Sequence, residues 1–460
     1  MRELLILFDE NRPKYKQIYH SIRQLIEKGD LEPDTHLPSI RQLAESLNVS
    51  RNTSLIAYEQ LLAEGYIRSV HKKGYYVEPF TPIHISGPQE TEQPMISGKK
   101  KIAIDFRAGA VDQQAFPLKD WRRCSNEVLR QKITYTYGQR NGELQLRKEI
   151  ANYLLQSRGI QTGPASIIIG SSTQQLLMQL AILLKAFYSS IAVENPGYDG
   201  ARSIFEMHQF EIAPIDVTSK GISMQQLQQS SARLVYITPS HHFPLGVTMP
   251  IPERQQLLKW VQEVNGYIIE DDYDSEFRYK QQPIPALCSL IPDARVIYLG
   301  TFSKVFLPSI RLSYMVLPAP LLERFNQLFD NVEQTASVIH QQTMALFMER
   351  GHWDSHIRKM RATYKRKMQT LVSTLQETFG EAITLIGTVS GLYLLIEFQS
   401  GTTEDTLIPQ ALEQGVKVYP TSQYYINQKP PRPMLQLGFS NLSIEEIKKG
   451  VHLLKQAWIG

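Results

Sequence analysis

The feature that most constrains the fold is a series of short apolar runs between residues 166 and 317, most of them separated by segments of helix length. The six runs are Ser166–Gly170, Ser190–Glu194, Leu234–Thr238, Tyr267–Glu270, Val296–Gly300 and Ser313–Leu317. Short apolar runs that alternate with helices are typical of strands buried in a mostly parallel sheet. The pattern predicts an α/β domain, followed after about Leu322 by a long helical stretch and a final α+β section.

The chain is too long for a single core. It has 460 residues, whereas single cores rarely grow past about 300. Residues 79–101 hold four prolines and two glycines with little periodicity, which is typical of a linker. We therefore predict a small domain over 1–78, a linker over 79–102 and a larger domain over 103–460. A small subdomain of the latter would be formed largely by about 322–460.

Composition excludes several classes of protein. No apolar run approaches the roughly 20 residues of a membrane span, and Asp9 and Glu10 follow the apolar start at once, unlike a signal peptide. Cys124 and Cys288 lack the close Cys or His neighbours of a metal motif, so we expect free buried thiols, no metal site and a cytoplasmic protein. The net charge of +4 is too small to indicate a nucleic-acid partner.

The first 78 residues nevertheless have the element order of a winged helix. Amphipathic spacing predicts a helix over Tyr15–Lys28, a short helix over Ile40–Leu47 and a longer helix over Arg51–Glu64 that Ser50 caps. Residues 66–78 are typical of a β-hairpin with a basic tip. In a winged helix the longer helix enters the major groove of DNA.

Several polar side chains lie where such a domain contacts DNA. Arginine can bond guanine through two hydrogen bonds, and asparagine or threonine can reach base edges or phosphates. Basic groups beside the helix contact the backbone. The candidate DNA-binding residues are Arg41, Ser50, Arg51, Asn52, Thr53, Lys72 and Lys73. The alternative is an ordinary three-helix domain with polar caps.

A lysine follows the fifth apolar run. Lys304 comes directly after a strand and a turn rich in Thr and Ser, at the sheet edge where α/β proteins bind ligands. Such a lysine can form a Schiff base with an aldehyde cofactor. Arg311 could hold a phosphate through two hydrogen bonds, and Thr301 and Ser303 could add hydroxyl donors. Taken alone, a lysine at a strand end is usually a surface lysine.

Three further strand ends carry suitable chemistry. Pyridoxal 5'-phosphate (PLP) needs a carboxylate at its ring nitrogen; Asp271 is our choice, with Tyr273 bonding the phenolic oxygen. An acidic loop in solvent or a metal site is the alternative. Ser171 and Ser172, after a glycine and before a helix, are typical of a phosphate cradle. Tyr198 could stack on the ring.

Two stretches of sequence resemble known families. The segment PSIRQLAESLNVSRNTSLIAYEQLLAEGYIRSVHKKGYYV resembles a GntR-type winged helix. The order of phosphate turn, aromatic residue, proline-rich turn, aspartate, lysine and arginine resembles the fold-type I PLP enzymes, the aspartate aminotransferase-like group, across about 103–460. The segments TPSHHFPLG, EDDYDSEFRY and GTFSKVFLPSIRLSYMVLP resemble the MocR family in particular, where the two domains are fused.

This resemblance implies a bacterial cytoplasmic, PLP-dependent DNA-binding transcription regulator. It implies a head-to-tail, domain-swapped homodimer that reads paired half-sites of operator double-stranded DNA, with Tyr137 reaching the partner's phosphate. The aldimine at Lys304 would sense an amine, amino-acid-like, dipeptide or vitamin B6 effector. The alternative is a catalytically active PLP-dependent aminotransferase with an appended DNA-binding domain.

The sequence departs from the aminotransferase pattern at two places. Gln436 stands where an arginine usually holds the substrate carboxylate, and an amide cannot form that charged pair. Turnover is therefore expected to be absent or vestigial, with Arg432 or Arg202 as possible replacements at the effector site. In the proline-rich turn, histidines precede Phe243 where an asparagine usually bonds the phenolic oxygen, and His242 is our candidate for that bond.

Overall fold

A computed structural model describes residues 6, 8–9, 12–79, 102–131, 137–279, 284–292, 294–399 and 401–459. The chain divides into two compact units, Met1–Ser97 and Gly98–Gly460. Of the predicted linker over 79–102, only the two end residues lie within the described part. The linker and its exact boundaries therefore stay predictions.

The first unit is a winged helix. Its elements in chain order are α1 (Lys14–Glu27), β1 (His36–Leu37), α2 (Ile40–Ser46), α3 (Arg51–Ala63), β2 (Ile67–Val70) and β3 (Gly74–Val77). The three strands pair antiparallel in the order β1-β3-β2. The predicted caps are present, because Ser39 forms a capping box with Gln42 and the Ser50 hydroxyl accepts from the Thr53 N–H.

The winged helix has a core of its own. Ile18 and Ile22 of α1, Leu43 of α2 and Leu61 of α3 are fully buried in one cluster. Along α3, Ala57 and Tyr58 are also buried, while Leu55 and Leu62 are half-buried. Tyr58 also donates a hydrogen bond to the Pro38 carbonyl at 2.9 Å.

The second unit is built on an eight-stranded sheet in the order β5-β12-β11-β10-β9-β6-β7-β8. Its strands are β5 (Ile167–Gly170), β6 (Ser190–Asn195), β7 (Glu211–Thr218), β8 (Gly221–Ile222), β9 (Leu234–Ile237), β10 (Tyr267–Asp272), β11 (Val296–Thr301) and β12 (Ser313–Val316). Strands β11, β10, β9, β6 and β7 are parallel, and β12 runs antiparallel to β11 and β5. All six predicted strands are present.

The sheet has two strands that the apolar runs did not predict. Strand β7 lies next to the edge, and only one of its eight residues is buried. It contains Pro214, which is tolerated at or near a sheet edge but not in a central strand. Strand β8 has only two residues and pairs antiparallel with β7.

The described part of the second unit also contains a series of helices. They are α4 (Leu118–Val128), α5 (Leu144–Arg158), α6 (Thr173–Lys185), α7 (Asp199–Met207), α8 (Met224–Gln229), α9 (Ile251–Glu263), α10 (Ala319–Leu328), α11 (Val338–Glu349), α12 (His352–Phe379), α13 (Glu404–Glu413) and α14 (Ile444–Trp458). Along β5, Ile168 packs into one core cluster whereas Ile167 and Ile169 pack into another. This alternation explains why the strand is apolar throughout.

A second, smaller sheet follows the long helix α12. It contains β13 (Ile383–Ile386), β14 (Tyr393–Phe398), β16 (Tyr419–Pro420) and β17 (Met434–Gly438), in the order β13-β14-β17-β16. Two short strands, β4 (Ile104–Asp105) and β15 (Val416–Lys417), pair parallel to each other. The segment after the predicted linker thus joins the carboxyl-terminal α+β section, which places residues 106–109 beside β17.

Cys124 is buried, Cys288 is half-buried, and both are free thiols. Within the described ranges, no group of three or more His, Cys, Asp or Glu side chains is arranged to hold a metal ion. No helix in that part of the chain is long and apolar enough to cross a membrane.

Because the winged helix and the larger unit have separate cores, we predict two thermal transitions. Leu61→Ala should lower the stability of the winged helix by about 2–5 kcal/mol and shift only its transition in differential scanning calorimetry. Leu437→Ala, in the core of the other unit, should shift only the other transition. A single transition that moves equally in both variants would contradict independent unfolding.

Candidate functional site

A cavity of about 580 Å³ opens at the carboxyl ends of the parallel strands. Its wall includes residues from the ends of β5, β9, β10 and β11 and from the smaller sheet. Predicted site residues that line it are Ser172, Tyr198, Asp271, Tyr273, Thr301, Ser303, Lys304, Arg311 and Gln436. Carboxyl ends of parallel strands meet at one edge, which explains why residues as far apart in sequence as Ser172 and Lys304 converge here.

Lys304 lies at the wall of the cavity. It follows β11 and the turn at Thr301, whose hydroxyl accepts hydrogen bonds from the Ser303 N–H at 3.2 Å and from the Ser313 hydroxyl at 2.9 Å. A Cβ on Gly109 would lie 2.0 Å from Lys304 Nζ, so glycine is needed to leave room for the amine. Burial lowers the pKa of Lys304, and the carboxylates of Asp274 and Asp271 oppose that effect. A lowered pKa favours the nucleophilic neutral amine.

Strand β10 sends its acidic residues to opposite faces of the sheet. Asp272 pairs with Arg158 at 2.8 Å and Glu270 lies 3.8 Å from Arg254, both away from the cavity wall. Asp271 alternates with them and lines the cavity. The choice of Asp271 among these carboxylates therefore agrees with the pleat of the strand.

The Asp271 carboxylate has one oxygen to spare. Its Oδ2 accepts a hydrogen bond from the Tyr236 hydroxyl at 2.6 Å, whereas its buried Oδ1 has no partner among the described residues. Burial raises the pKa of Asp271 to about 7. A buried carboxylate with a free oxygen suits a protonated ring nitrogen, which would supply both a hydrogen bond and a compensating charge.

Tyr273 lies in a polar cluster with a histidine. Its hydroxyl is 3.1 Å from His241 Nδ1 and 3.2 Å from the Tyr393 hydroxyl. The same His241 nitrogen lies 2.8 Å from Asp274 Oδ2, and both of these side chains are buried. The cluster fixes the phenol of Tyr273 at the cavity wall.

His242 is not at the cavity, and its predicted contact with the cofactor is wrong in this structure. Its Nε2 donates to the Pro196 carbonyl at 3.1 Å, and its Nδ1 accepts from the Leu245 N–H at 3.2 Å. Burial lowers the pKa of His242 to about 3, so the ring is neutral and serves to shape the turn. Phe243 lines the cavity instead, and His241 contacts Tyr273.

The predicted phosphate cradle is shifted by one or two residues. Ser172 lines the cavity and caps α6 by accepting from the Gln175 N–H at 3.1 Å. Ser171 does not line it, and its N–H donates to the Gln175 side chain at 3.2 Å. Thr173 and Gln174, in the first turn of α6, line the cavity as well. The amino end of a helix is a favourable site for a phosphate.

The cationic residues near Gln436 are not those that the sequence suggested. Gln436 lines the cavity and is 2% exposed, and its Nε2 has no partner in the described part of the chain. Arg432 lies before β17 with its side chain 55% exposed and 3.4 Å from Glu397, and Arg202 lies 4.0 Å from Glu206 on α7. Neither side chain lines the cavity, so the prediction that Arg432 or Arg202 replaces the missing arginine is wrong in this structure. Arg107, which the sequence did not suggest, lines the cavity.

The remaining predicted residues lie on the surface. Tyr137 is 83% exposed in the single chain and does not line the cavity. In the winged helix, Arg51 and Asn52 are exposed at the start of α3. The hydroxyls of Ser50 and Thr53 bond each other at 2.8 Å, which gives them a capping role beside any role at DNA.

The basic residues around α3 are also exposed. Arg41 pairs with Glu45 within α2 at 3.0 Å, and Lys72 takes a left-handed φ of 59° at the hairpin tip. Lys73 follows it, and its carbonyl lies 2.9 Å from His36 Nε2. The structure therefore keeps all the predicted DNA-binding side chains on one small unit, but their contacts with DNA remain predictions.

Family comparisons agree with this division. Residues 14–77 match the family described as bacterial regulatory proteins, gntR family, and residues 101–454 match aminotransferase class I and II. The HTH-type transcriptional regulator YdeL of Bacillus subtilis is 41% identical over 97% of both chains. The probable rhizopine catabolism regulatory protein MocR of Rhizobium meliloti is 31% identical over 98% of this chain and 95% of its own.

Solved structures share the fold of the second unit. The α-aminoadipate aminotransferase LysN of Thermus thermophilus, solved with N-(5'-phosphopyridoxyl)-L-leucine, has a TM-score of 0.70 and 24% identity. It covers 79% of this chain and 93% of its own. A multiple substrate aminotransferase from Thermococcus profundus also has a TM-score of 0.70, with 25% identity, and covers 79% of this chain and 92% of its own.

The raised pKa of Asp271 predicts a pH dependence of stability. A carboxyl whose folded pKa lies above its unfolded value binds more protons when folded, so the free energy of unfolding should fall as pH rises from about 4 to about 7. Asp271→Asn should make this fall shallower in urea unfolding of protein without cofactor. Asp405→Asn, at an exposed position, is the control; equal slopes in wild type and Asp271→Asn would contradict the assignment.

Proposed function

This chain belongs to the MocR-type transcription regulators, in which a gntR-family domain precedes a class I and II aminotransferase domain, and from that premise we propose that it holds PLP at Lys304 and responds to a small effector there. The observation that carries the proposal is that one cavity holds both an amine and a carboxylate suited to PLP. Lys304 lies there with a lowered pKa, and Asp271 presents a buried oxygen without a partner.

The residues present fit the cofactor. Asp271 would hold the proton on the ring nitrogen, Tyr273 would bond the phenolic oxygen, and Tyr198 would stack on the ring. The phosphate would lie against the first turn of α6, with Arg311 as the counter-charge. The hydroxyls of Ser172, Thr301 and Ser303 would add donors. When bound, PLP supplies an aldehyde carbon for Lys304 and a ring that accepts electrons.

The same cavity argues for sensing over turnover. Aminotransferases of this fold usually hold the substrate carboxylate with an arginine, and Gln436 supplies only an amide. Gln436 therefore does not form the buried charged pair whose loss typically costs about 2–5 kcal/mol, or roughly 30- to 4,000-fold in affinity. An amine effector that replaced Lys304 on the aldehyde carbon of the cofactor, releasing the lysine amine, and was not turned over would report its concentration rather than be consumed.

We assign DNA recognition to the winged helix. Arg51 and Asn52 are exposed at the start of α3, and the helix is capped by Ser50 and not by them. We therefore assign base contacts to Arg51 and Asn52. Arg41, Lys72 and Lys73 would contact phosphates, with Ser50 and Thr53 in support. A regulator of this kind works on operator double-stranded DNA, hence in the cytoplasm.

A homodimer completes the proposal. The exposed Tyr137 would reach the partner's phosphate, and two winged helices in a head-to-tail, domain-swapped dimer would read paired half-sites. To change DNA binding, an effector must bind two arrangements of the dimer with different affinity. The linker over 79–102, which we expect to absorb this motion, lies almost wholly outside the described residues.

The cofactor assignment predicts a spectroscopic change. Purified protein with PLP should show the absorbance of a lysine-bound cofactor, and Lys304→Ala should lose it while keeping the thermal stability of the winged helix. Lys448→Ala, an exposed lysine on α14, should keep the band. Persistence of the band in Lys304→Ala would contradict the assignment, and sustained transamination at about 1 s⁻¹ or faster would contradict the sensing role.

The DNA assignment predicts a loss of affinity without a change at the cavity. Arg51→Ala should weaken binding to a fragment selected from random DNA by the wild type by roughly 5- to 150-fold, as expected for one lost base contact. Fluorescence anisotropy at one fixed salt concentration measures this. Lys16→Ala, exposed on α1, is the control. If Arg51→Ala binds as tightly as wild type, α3 is not the reading helix.

A further inference from the structure

Among the described residues, Arg107 is the one cation of the cavity wall that the proposed cofactor leaves unused. We propose that Arg107 and the amide of Gln436 together bind an anionic group of the effector, and that the effector is therefore an amine that also carries a carboxylate or a similar anion. This deepens the proposed function and rests on it. The amine would face Lys304, and the anion would lie beside β17.

The backbone brings Arg107 to this position. The Phe106 N–H donates to the Lys417 carbonyl at 3.0 Å, and the Gly438 N–H donates to the Phe106 carbonyl at 2.8 Å. A Cβ on Gly438 would lie 2.4 Å from the Arg107 carbonyl oxygen, so the segment packs directly on β17 there. Gln436 and Gly438 are two residues apart and share a face of the strand. Arg107 thus lies beside the face of β17 that carries Gln436.

Arg107 is available to a ligand. No hydrogen bond or ion pair joins its guanidinium to another side chain in the described part of the chain, although its side chain lines the cavity and is exposed there. The two other cations of the wall, Lys304 and Arg311, have proposed roles toward the cofactor. The carboxylates are also engaged, since Asp274 faces His241 and Asp199 accepts from the Gly200 N–H at 3.0 Å.

Gln436 supplies the second, independent observation. Its side chain is buried, and its Nε2 donor has no acceptor among the described residues. A buried amide donor without an acceptor is unfavourable, and an anion oxygen in the cavity would satisfy it. On neighbouring strands its Cα partners are Leu395 and Tyr419, and the Tyr419 hydroxyl donates to Asp105 at 2.9 Å. The Tyr419 hydroxyl therefore already has a partner of its own.

The rest of the wall suits a short apolar chain between amine and anion. The Phe243 ring lies 4.7 Å from Tyr424, 5.9 Å from Tyr393 and 6.0 Å from Tyr198, all edge to face, and all four line the cavity. Aromatic rings of this kind bury methylene groups well. An asparagine at the Phe243 position would have made this surface polar.

The test compares amines with and without an anion. Full-length protein loaded with PLP is titrated with linear ω-amino acids of two to six carbons and with the 1-aminoalkanes of equal length, and the absorbance of the lysine-bound cofactor is followed. At each length, the dissociation constant of the aminoalkane divided by that of the amino acid measures the preference for the anion. In wild type we expect this ratio to exceed about 10 at one or two lengths, as charged hydrogen bonds allow.

Variants assign the preference to residues. Arg107→Gln should lower the ratio roughly 10- to 100-fold, and Arg107→Lys, which keeps the charge, should lower it less. Gln436→Leu should lower it by a smaller factor, and Gln436→Arg should raise it. Arg432→Gln changes an exposed arginine outside the cavity and should leave the ratio unchanged.

The possible outcomes separate the two proposals. If no cofactor band forms in wild type, the proposed function and this inference both fail. If the band forms and responds equally to amino acids and alkylamines at every length, the inference alone is overturned. A wild-type preference that persists in Arg107→Gln and in Arg107→Lys overturns the assignment to Arg107.

Discussion

The parallel pairing of β10 with β11 is the constraint on which the site depends. Its register sets Asp271 opposite Leu299 and Asp272 opposite Gly300, so the pleat decides which acid reaches the cavity. Glu270 and Asp272 are buried on the other face, where Arg254 and Arg158 supply opposite charges. Without these two arginines the strand would carry uncompensated buried carboxylates, which are strongly destabilising. The cavity chemistry thus relies on ion pairs that do not touch it.

Much of the fold could be predicted from sequence because buried strands leave a strong local signal. Each of the six apolar runs became a strand, and Ser50 caps α3 as its position suggests. Strand β7 was missed for a physical reason: lying beside the edge, it is mostly half-exposed and has no continuous apolar run. The pairing of β4 with β15 was also beyond reach, since it joins residues about 300 positions apart.

The same distinction between local and long-range signals holds for the site. Lys304, Thr301 and Ser303 share one turn, and local order was enough to place them together. His242 was chosen from the correct turn, but only the packing reveals that both its ring nitrogens are used by the backbone. Arg107 gave no local signal, because its place depends on contacts with Lys417 and Gly438. Residues brought in by long-range pairing are those that sequence reasoning misses.

The separate cores of the two units have a consequence for how such a chain can evolve. A substitution that tunes α3 for a new operator is absorbed within the small cluster around Ile22 and Leu61, and a substitution around Lys304 is absorbed within the larger unit. A substitution in one unit therefore requires no compensating substitution in the hydrophobic core of the other. Recognition of DNA and recognition of a small molecule can therefore diversify at different rates, and a gene fusion can exchange one reader for another while the pocket keeps its ligand.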